Sequence, residues 1–317
     1  MDILNEDSLI EILKYNSTKE LIKFSLQDTY YMKFFRRNIK RFKLDCSFSS
    51  ILDNQLEYLE GAYDINLEYC RKLTDNGFKY LRGAHTINLE GCKITDNILE
   101  YFKGVHTIIL KECIRITDDG LKNLVGVYNI DLSKCYKITD IGLQYLNNTY
   151  IINLCNCPNI SDKGLEYLSK VHTINIANSF TFKYNADYIT RISKIKEILL
   201  KERSYFGLTL IVETDIDGNE FHYGKNKITD EGLKYLENVH TINLTCSNIT
   251  NNGLKYLQKV KHINISYCNK ITDEGLEYLK NADTIIMFFC ENITKDSMKY
   301  LNNVHKINSD IEELQKK

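Results

Sequence analysis

Neither sign of charge dominates this 317-residue chain, which sets 41 Lys and Arg against 42 Asp and Glu for a formal net charge of −1. That balance lacks the basic footprint of a nucleic-acid-binding domain. No run approaches the roughly 18 apolar residues that a membrane-spanning helix needs, so no membrane partner is expected. The opening Met1-Asp2-Ile3-Leu4-Asn5-Glu6-Asp7 is acidic and has no basic stretch leading into an apolar core, the pattern of a secretory leader. A cytoplasmic or nuclear, reducing setting is the expectation. Also missing are a nucleophile beside its base, a phosphate-binding loop and a paired-carboxylate cleft, so no enzymatic activity and no cofactor are expected. The remaining composition, 43% apolar and 26% charged, is that of a folded chain.

What the chain has in quantity is cysteine, with ten residues. Seven of them stand at 70, 92, 113, 135, 157, 268 and 290, so that apart from the gap between 157 and 268 neighbours in the series differ by 21 or 22. Such spacing marks an internal repeat. Each of these Cys follows an alternating triplet by the same interval, as in Ile65-Asn66-Leu67, Ile87-Asn88-Leu89, Ile130-Asp131-Leu132 and Ile263-Asn264-Ile265. Alternation of this kind describes a short strand covered on one side. Followed through the chain, triplets begin at 42, 65, 87, 108, 130, 152, 174, 198, 221, 242, 263, 285 and 307. Asn226 is expected to stand at a Cys position, in the rung that starts at 221.

A second phrase follows each triplet: Ile94-Thr95-Asp96, Ile116-Thr117-Asp118, Ile138-Thr139-Asp140 and their counterparts. Thr and Asp favour helix starts, and the next residues, such as Gly142-Leu143-Gln144-Tyr145-Leu146, place Leu on one side of a short helix. A unit of strand, turn and short helix cannot bury its apolar side alone, so successive units must stack. The in-register Cys are expected to form a buried ladder that satisfies turn backbone groups, not a metal site.

The phrase LxxLxLxxCxxITDxGLxxL resembles the cysteine-containing leucine-rich repeat, over residues 42–309. The resemblance implies an α/β fold: a right-handed horseshoe solenoid of about 12–13 repeats of ~22 residues, with a parallel concave sheet and short convex helices. Residues 198–220 read as either a degenerate repeat or a protruding hairpin, and 310–317 as a C-terminal tail or cap. Ahead of the repeats, residues 1–41 read as a small helical unit. Leu4, Asp7, Leu9, Ile12 and Leu13, followed by Leu21 and Phe24, are similar in spacing to the F-box, and a helical cap over the solenoid edge is the alternative. The F-box resemblance implies the substrate-recognition subunit of a Skp–cullin–F-box ubiquitin ligase, a monomer that binds a Skp-type adaptor through Leu4, Leu9, Ile12, Leu13, Leu21 and Phe24. The Asn-, Ile-, Lys- and Tyr-rich composition is similar to that of such proteins in large DNA viruses. The alternative is a leucine-rich-repeat scaffold or decoy with no ligase link.

On the concave face the outward centre is mostly Asn, so exceptions mark the candidate partner-binding residues. Ile286, Phe288 and Phe289, with Tyr267 on the adjacent repeat, are expected as exposed anchors. Ile109, Ile151 and Cys155 form a second candidate group. His85, His106, His172, His240 and His305 share one column with Tyr63, Tyr128 and Tyr150, either as a partner-binding stripe or as a repeated strand-entrance phrase.

Overall fold

The computed structural model describes residues 6–13, 17–18, 20–21, 29–178 and 226–311. Eleven parallel strands follow one another in chain order: β1 (Lys43–Asp45), β2 (Asp64–Asn66), β3 (Thr86–Asn88), β4 (Thr107–Ile109), β5 (Asn129–Asp131), β6 (Ile151–Asn153), β7 (Thr173–Asn175), β8 (Thr241–Asn243), β9 (His262–Asn264), β10 (Thr284–Met287) and β11 (Lys306–Ser309). The chain divides at β6 into two compact units, residues 1–152 and 153–317.

In the first unit the strands pair without slippage, Leu44 with Ile65, Ile65 with Ile87, Ile87 with Ile108 and Ile108 with Ile130. These central side chains are buried, as are the Leu67, Leu89, Leu110 and Leu132 that follow them. Because side chains alternate along a strand, a slip of one residue would turn this whole apolar column to solvent, and that fixes the register. The second unit repeats the pattern, with Ile174 opposite Ile242, Ile242 opposite Ile263, and Ile285 between Ile263 and Ile307.

The Thr-Asp phrase locks each rung to the next. Thr117 caps its own helix by accepting from the Asp119 N–H, while Asp96 from the preceding rung accepts from the Thr117 N–H at 2.8 Å and from its hydroxyl at 2.6 Å. The same pair recurs as Asp118 with Thr139, Asp162 with Thr229, Asp230 with Thr250 and Asp273 with Thr294. Asn251 takes the place of Asp before Thr272. The Gly of the following Gly-Leu has its reason here: a Cβ on Gly142 would meet Asp118 Oδ1 at 2.4 Å, and one on Gly232 would meet Asp162 Oδ1 at 2.2 Å. The convex segments are short α turns such as Asp118–Leu121 and Asn251–Leu254, or 3-10 helices such as Asp96–Phe102 and Asp230–Leu236.

The cysteines form the expected ladder. Cys70, Cys92, Cys113 and Cys135 donate Sγ–H to the carbonyls of Cys46, Leu67, Leu89 and Leu110 on the preceding rung, at 3.0–3.2 Å. Cys268 and Cys290 do the same to Leu244 and Ile265. All ten are buried and unpaired by disulfide. Burial pushes the Cys46 and Cys92 thiols up to about 12 and the Cys268 thiol to about 11, so these sulfurs are poor nucleophiles.

The repeat count departs from the sequence expectation. Strand β7 pairs directly with β8, Thr173 opposite Thr241, so no rung lies between them. The triplets at 198 and 221, with the whole of 198–220, fall outside the described residues. Asn226 lies on the β7 rung, not on one starting at 221, and bonds differently from the ladder Cys: its Nδ2 donates to the carbonyl of Ile176 on its own rung at 2.7 Å, and its N–H donates to Asn178 Oδ1 at 2.9 Å. Asp162 accepting from Thr229 confirms that the Thr-Asp phrase after Asn226 closes the β7 rung. One repeat is therefore interrupted between 178 and 226.

The N-terminal helices pack on the first rung. Ser17 and Glu20 form a reciprocal cap, the Glu20 carboxylate accepting from the Ser17 N–H at 2.8 Å and the Glu20 N–H reaching Ser17 Oγ at 3.3 Å. Next to it, Thr18 Oγ1 accepts from the Asp45 N–H of β1 at 2.6 Å. The helix Thr29–Asn38 buries Phe34 and Phe35, and Phe35 stacks on Phe42 at 5.8 Å. Arg41 pairs with Asp7 of the helix Glu6–Leu13 at 3.1 Å.

Candidate partner-binding face

Just beyond most strands, two residues after the second apolar residue of the rung, the backbone enters the left-handed region. Phe48, Tyr69, Glu112 and Lys134 have φ of 55°, 53°, 61° and 60°, and Gly91, in the same column, has 67°. For non-glycine residues this conformation costs about 1 kcal/mol or more each, so the turn geometry imposes it rung after rung.

The residues of that column are joined into one line. Phe48, 70% exposed, stacks on Tyr69 with centroids 5.3 Å apart. The Tyr69 hydroxyl donates to Glu112 Oε2 at 2.7 Å, and Lys134 Nζ donates to Glu112 Oε1 at 2.9 Å. Gly91 makes the span possible, since a Cβ there would meet the Tyr69 ring at 2.4 Å. Burial pushes the Glu112 carboxyl up, but the hydrogen bonds from Lys134 and Tyr69 outweigh it and hold the group below its usual value. Alongside, Lys111 pairs with Glu90 at 2.6 Å. Burial lowers the Lys111 ammonium while the Glu90 hydrogen bond and charge raise it more, for a net rise. Glu68 is raised by burial and then by Glu90.

At the other end of the strands the His/Tyr column is a continuous stack. Tyr63, His85, His106, Tyr128 and Tyr150 lie face to face with successive centroids 4.5, 4.6, 4.6 and 4.8 Å apart. Those intervals match the spacing of paired strands, so the sheet sets the stack. The three tyrosines are 38–40% exposed. His106 Nδ1 lies 3.1 Å from Thr107 Oγ1 and His85 Nδ1 lies 3.4 Å from Thr86 Oγ1, which ties each ring to the threonine that follows it. In the second unit His172 stacks on His240 at 4.4 Å, and His262 stands 5.2 Å further on, tilted. Burial, then the charge of His240, lowers both His172 and His262.

The anchors expected in the second unit are not surface groups. Ile286 is 3% exposed, Phe288 2% and Tyr267 9%. Asn243, Asn264 and Ser266 on the same side of the sheet are buried too, so apolar side chains stand there at no hydration cost. Phe289 is half-buried and stacks on Tyr267 at 4.7 Å. Cys155 is buried at 6%, while Ile109 and Ile151 are half-buried on the outward side of β4 and β6. Of the adaptor-binding candidates, Leu13 and Leu21 are 5% and 1% exposed and belong to the core of the helical unit. Leu4 and Phe24 and the side chains of Leu9 and Ile12 lie outside the described residues. The side chains that the structure leaves accessible are thus in the first unit, on residues the composition of single triplets does not mark: exposed Phe48 and half-buried Tyr69 and Glu112, with Lys134 buried and bonded to Glu112. Gly91, a lone glycine in a column of large side chains, was the available signal.

Among the described residues no group of His, Cys, Asp and Glu is arranged to hold a metal ion, and no helix is long and apolar enough to cross a membrane. Comparison with known proteins gives a match to the family model described as Leucine Rich repeat over residues 235–257 and 256–280. None of the curated proteins matches the sequence. Similar solved structures include the complex of Rad7 and Elc1 in yeast, 13% identical, with 93% of this chain and 89% of that chain covered at a TM-score of 0.37. An internalin, inlF, from Listeria monocytogenes is 18% identical, with 95% and 91% covered at 0.45. The functional domain of InlJ from Listeria monocytogenes, described as including a cysteine ladder, is 13% identical, with 84% and 53% covered at 0.48. With its parallel rungs, its short helices and the matched residues 235–280, the chain has a leucine-rich-repeat fold.

Proposed function

We propose that the protein recognises a partner protein with the strand side of its first unit. The observation that carries this reading is the exposed stack Tyr63, His85, His106, Tyr128 and Tyr150. Aromatic rings with few rotatable bonds are typical interface anchors, because little side-chain entropy is lost when a partner covers them. At the other end of the same strands, half-buried Tyr69 and Glu112, held by buried Lys134, supply fixed polar groups beside exposed Phe48. Affinity capture from cells with the intact chain and with the triple variant Tyr63→Ser, His106→Asp, Tyr128→Ser tests it. A partner retained by the intact chain and lost by the variant, at unchanged thermal midpoint, supports the reading; equal retention contradicts it.

A finer reading makes this the substrate-recognition subunit of a Skp–cullin–F-box ubiquitin ligase. It is favoured by the hydrogen bond from the Asp45 N–H to Thr18, which ties the helical unit to the first rung. A ligase subunit acts by holding its substrate near the transfer machinery, which needs such a rigid join. With Leu13 and Leu21 in the core, the adaptor contact falls to Leu9 and Ile12. Leu9→Asp with Ile12→Asp should abolish binding to a purified Skp-type adaptor; no binding by the folded intact chain would leave only the interaction module.

A further inference from the structure

We propose that the first unit carries a second site, which binds a phosphoryl group on a partner protein's side chain; this rests on the protein-recognition reading above. Beyond the Cys ladder, the turns after β2, β3 and β4 form an open surface depression of about 370 Å³ lined by Arg71, Lys72, Lys93 and Arg115 together with Asp75 and Thr95. Four cations from three consecutive rungs converge in a chain whose net charge is −1. Asp75, the acid in that lining, is already engaged, accepting from the Thr95 N–H at 3.0 Å and from the Thr95 hydroxyl.

Both arginines are held in place. Arg115 donates to the Lys93 carbonyl at 3.4 Å, and the Arg71 guanidinium lies 5.2 Å over the Tyr69 ring. Each keeps further N–H groups for a ligand, and the planar guanidinium matches two phosphoryl oxygens at once. The volume is at the small end of ligand pockets, enough for a phosphoryl group and the side chain that bears it. No aromatic residue lines the depression, so it offers no stacking surface for a nucleotide base.

The test is fluorescence anisotropy of the full chain with a labelled phosphoserine peptide of degenerate flanking sequence and with its unphosphorylated form. At least tenfold tighter binding of the phosphorylated peptide is expected, with displacement by millimolar inorganic phosphate. The exposed pair Arg71→Gln and Arg115→Gln should remove that preference at unchanged thermal midpoint, whereas Lys103→Gln should not. Equal affinity for the two peptides, a preference that survives the double variant, or stronger binding to phosphoinositide vesicles than to the peptide would overturn the proposal. The Tyr63, His106 and Tyr128 triple variant should keep the phosphopeptide preference. Hence peptide failure with partner capture intact removes the pocket alone, and loss of capture by the intact chain removes the recognition reading itself.

Discussion

The Tyr69 hydroxyl donates a 2.7 Å hydrogen bond to Glu112 Oε2, passing over the rung that lies between them. The contact couples positions 43 residues apart and depends on the bare Cα of Gly91 beneath the ring. Gly91→Ala adds a Cβ at 2.4 Å from the ring and places alanine at a φ of +67°, so it should cost about 2–3 kcal/mol in chemical denaturation. Gly104→Ala, at a φ of +81° with nothing within 4 Å, should cost only the backbone strain of about 1 kcal/mol. Equal costs would mean that the ring does not rest on Gly91.

Lys134 is 1% exposed at its side chain and its ammonium pairs with Glu112. Removing this partner with Glu112→Ala should therefore destabilise by about 2–4 kcal/mol, since a buried cation loses an ion pair. Because the folded Glu112 carboxyl is held low, its contribution is fully present above the ordinary carboxylate range and is lost as pH falls through the folded value. Denaturation midpoints from pH 7 down to pH 3 should fall more steeply for the native chain than for Glu112→Gln; parallel profiles would contradict the assignment.

The Cys ladder predicts silent thiols. At pH 8 a thiol reagent should label few or none of the ten Cys of the folded chain and all ten after unfolding. With folded thiols raised to about 11–12, stability is present below the unfolded value near 8.5 and is lost as pH rises through the folded values. Rapid labelling of Cys113 or Cys135 in the native state would place those sulfurs outside the ladder.

Asp118 ties two rungs together through Thr139. Asp118→Ala leaves the Thr139 N–H without its acceptor and should cost about 1–3 kcal/mol, read from urea denaturation. Asp118→Asn should cost less, because Asn251 performs the same service for Thr272 in the native chain. A cost for Asn as large as for Ala would show that charge, not hydrogen bonding, carries the link.

Rungs, capping pairs and the Cys ladder were legible in the sequence because each is a local phrase at a fixed period. Ile65, Ile87 and Ile108 announce a strand on their own residues. The interruption was legible only as a break at 198–220, not in its extent from 178 to 226: Ile198-Leu199-Leu200 satisfies an apolar triplet pattern, whereas the join that matters is Asn226 donating to Ile176, a contact with no sequence period. Phe288 was misassigned for a related reason. Alternation tells which side of the sheet a residue takes, not whether that side meets water, and Phe288 is 2% exposed. The line from Phe48 to Lys134 was hidden because left-handed turns redirect side chains along the sheet, so neighbours are set by geometry two rungs away.

The central claim is that a partner protein covers the strand side of the first unit. Hydrogen–deuterium exchange of the free chain and of its captured complex, followed by peptide mass spectrometry, tests it most directly. Protection concentrated on residues 62–70, 84–92, 105–113 and 127–135, with the helices Asp96–Phe102 and Asp118–Leu121 unchanged, is the predicted result. Protection confined to those helices, with the Tyr63 to Tyr150 stack as exchangeable around its strands as before, would contradict the account.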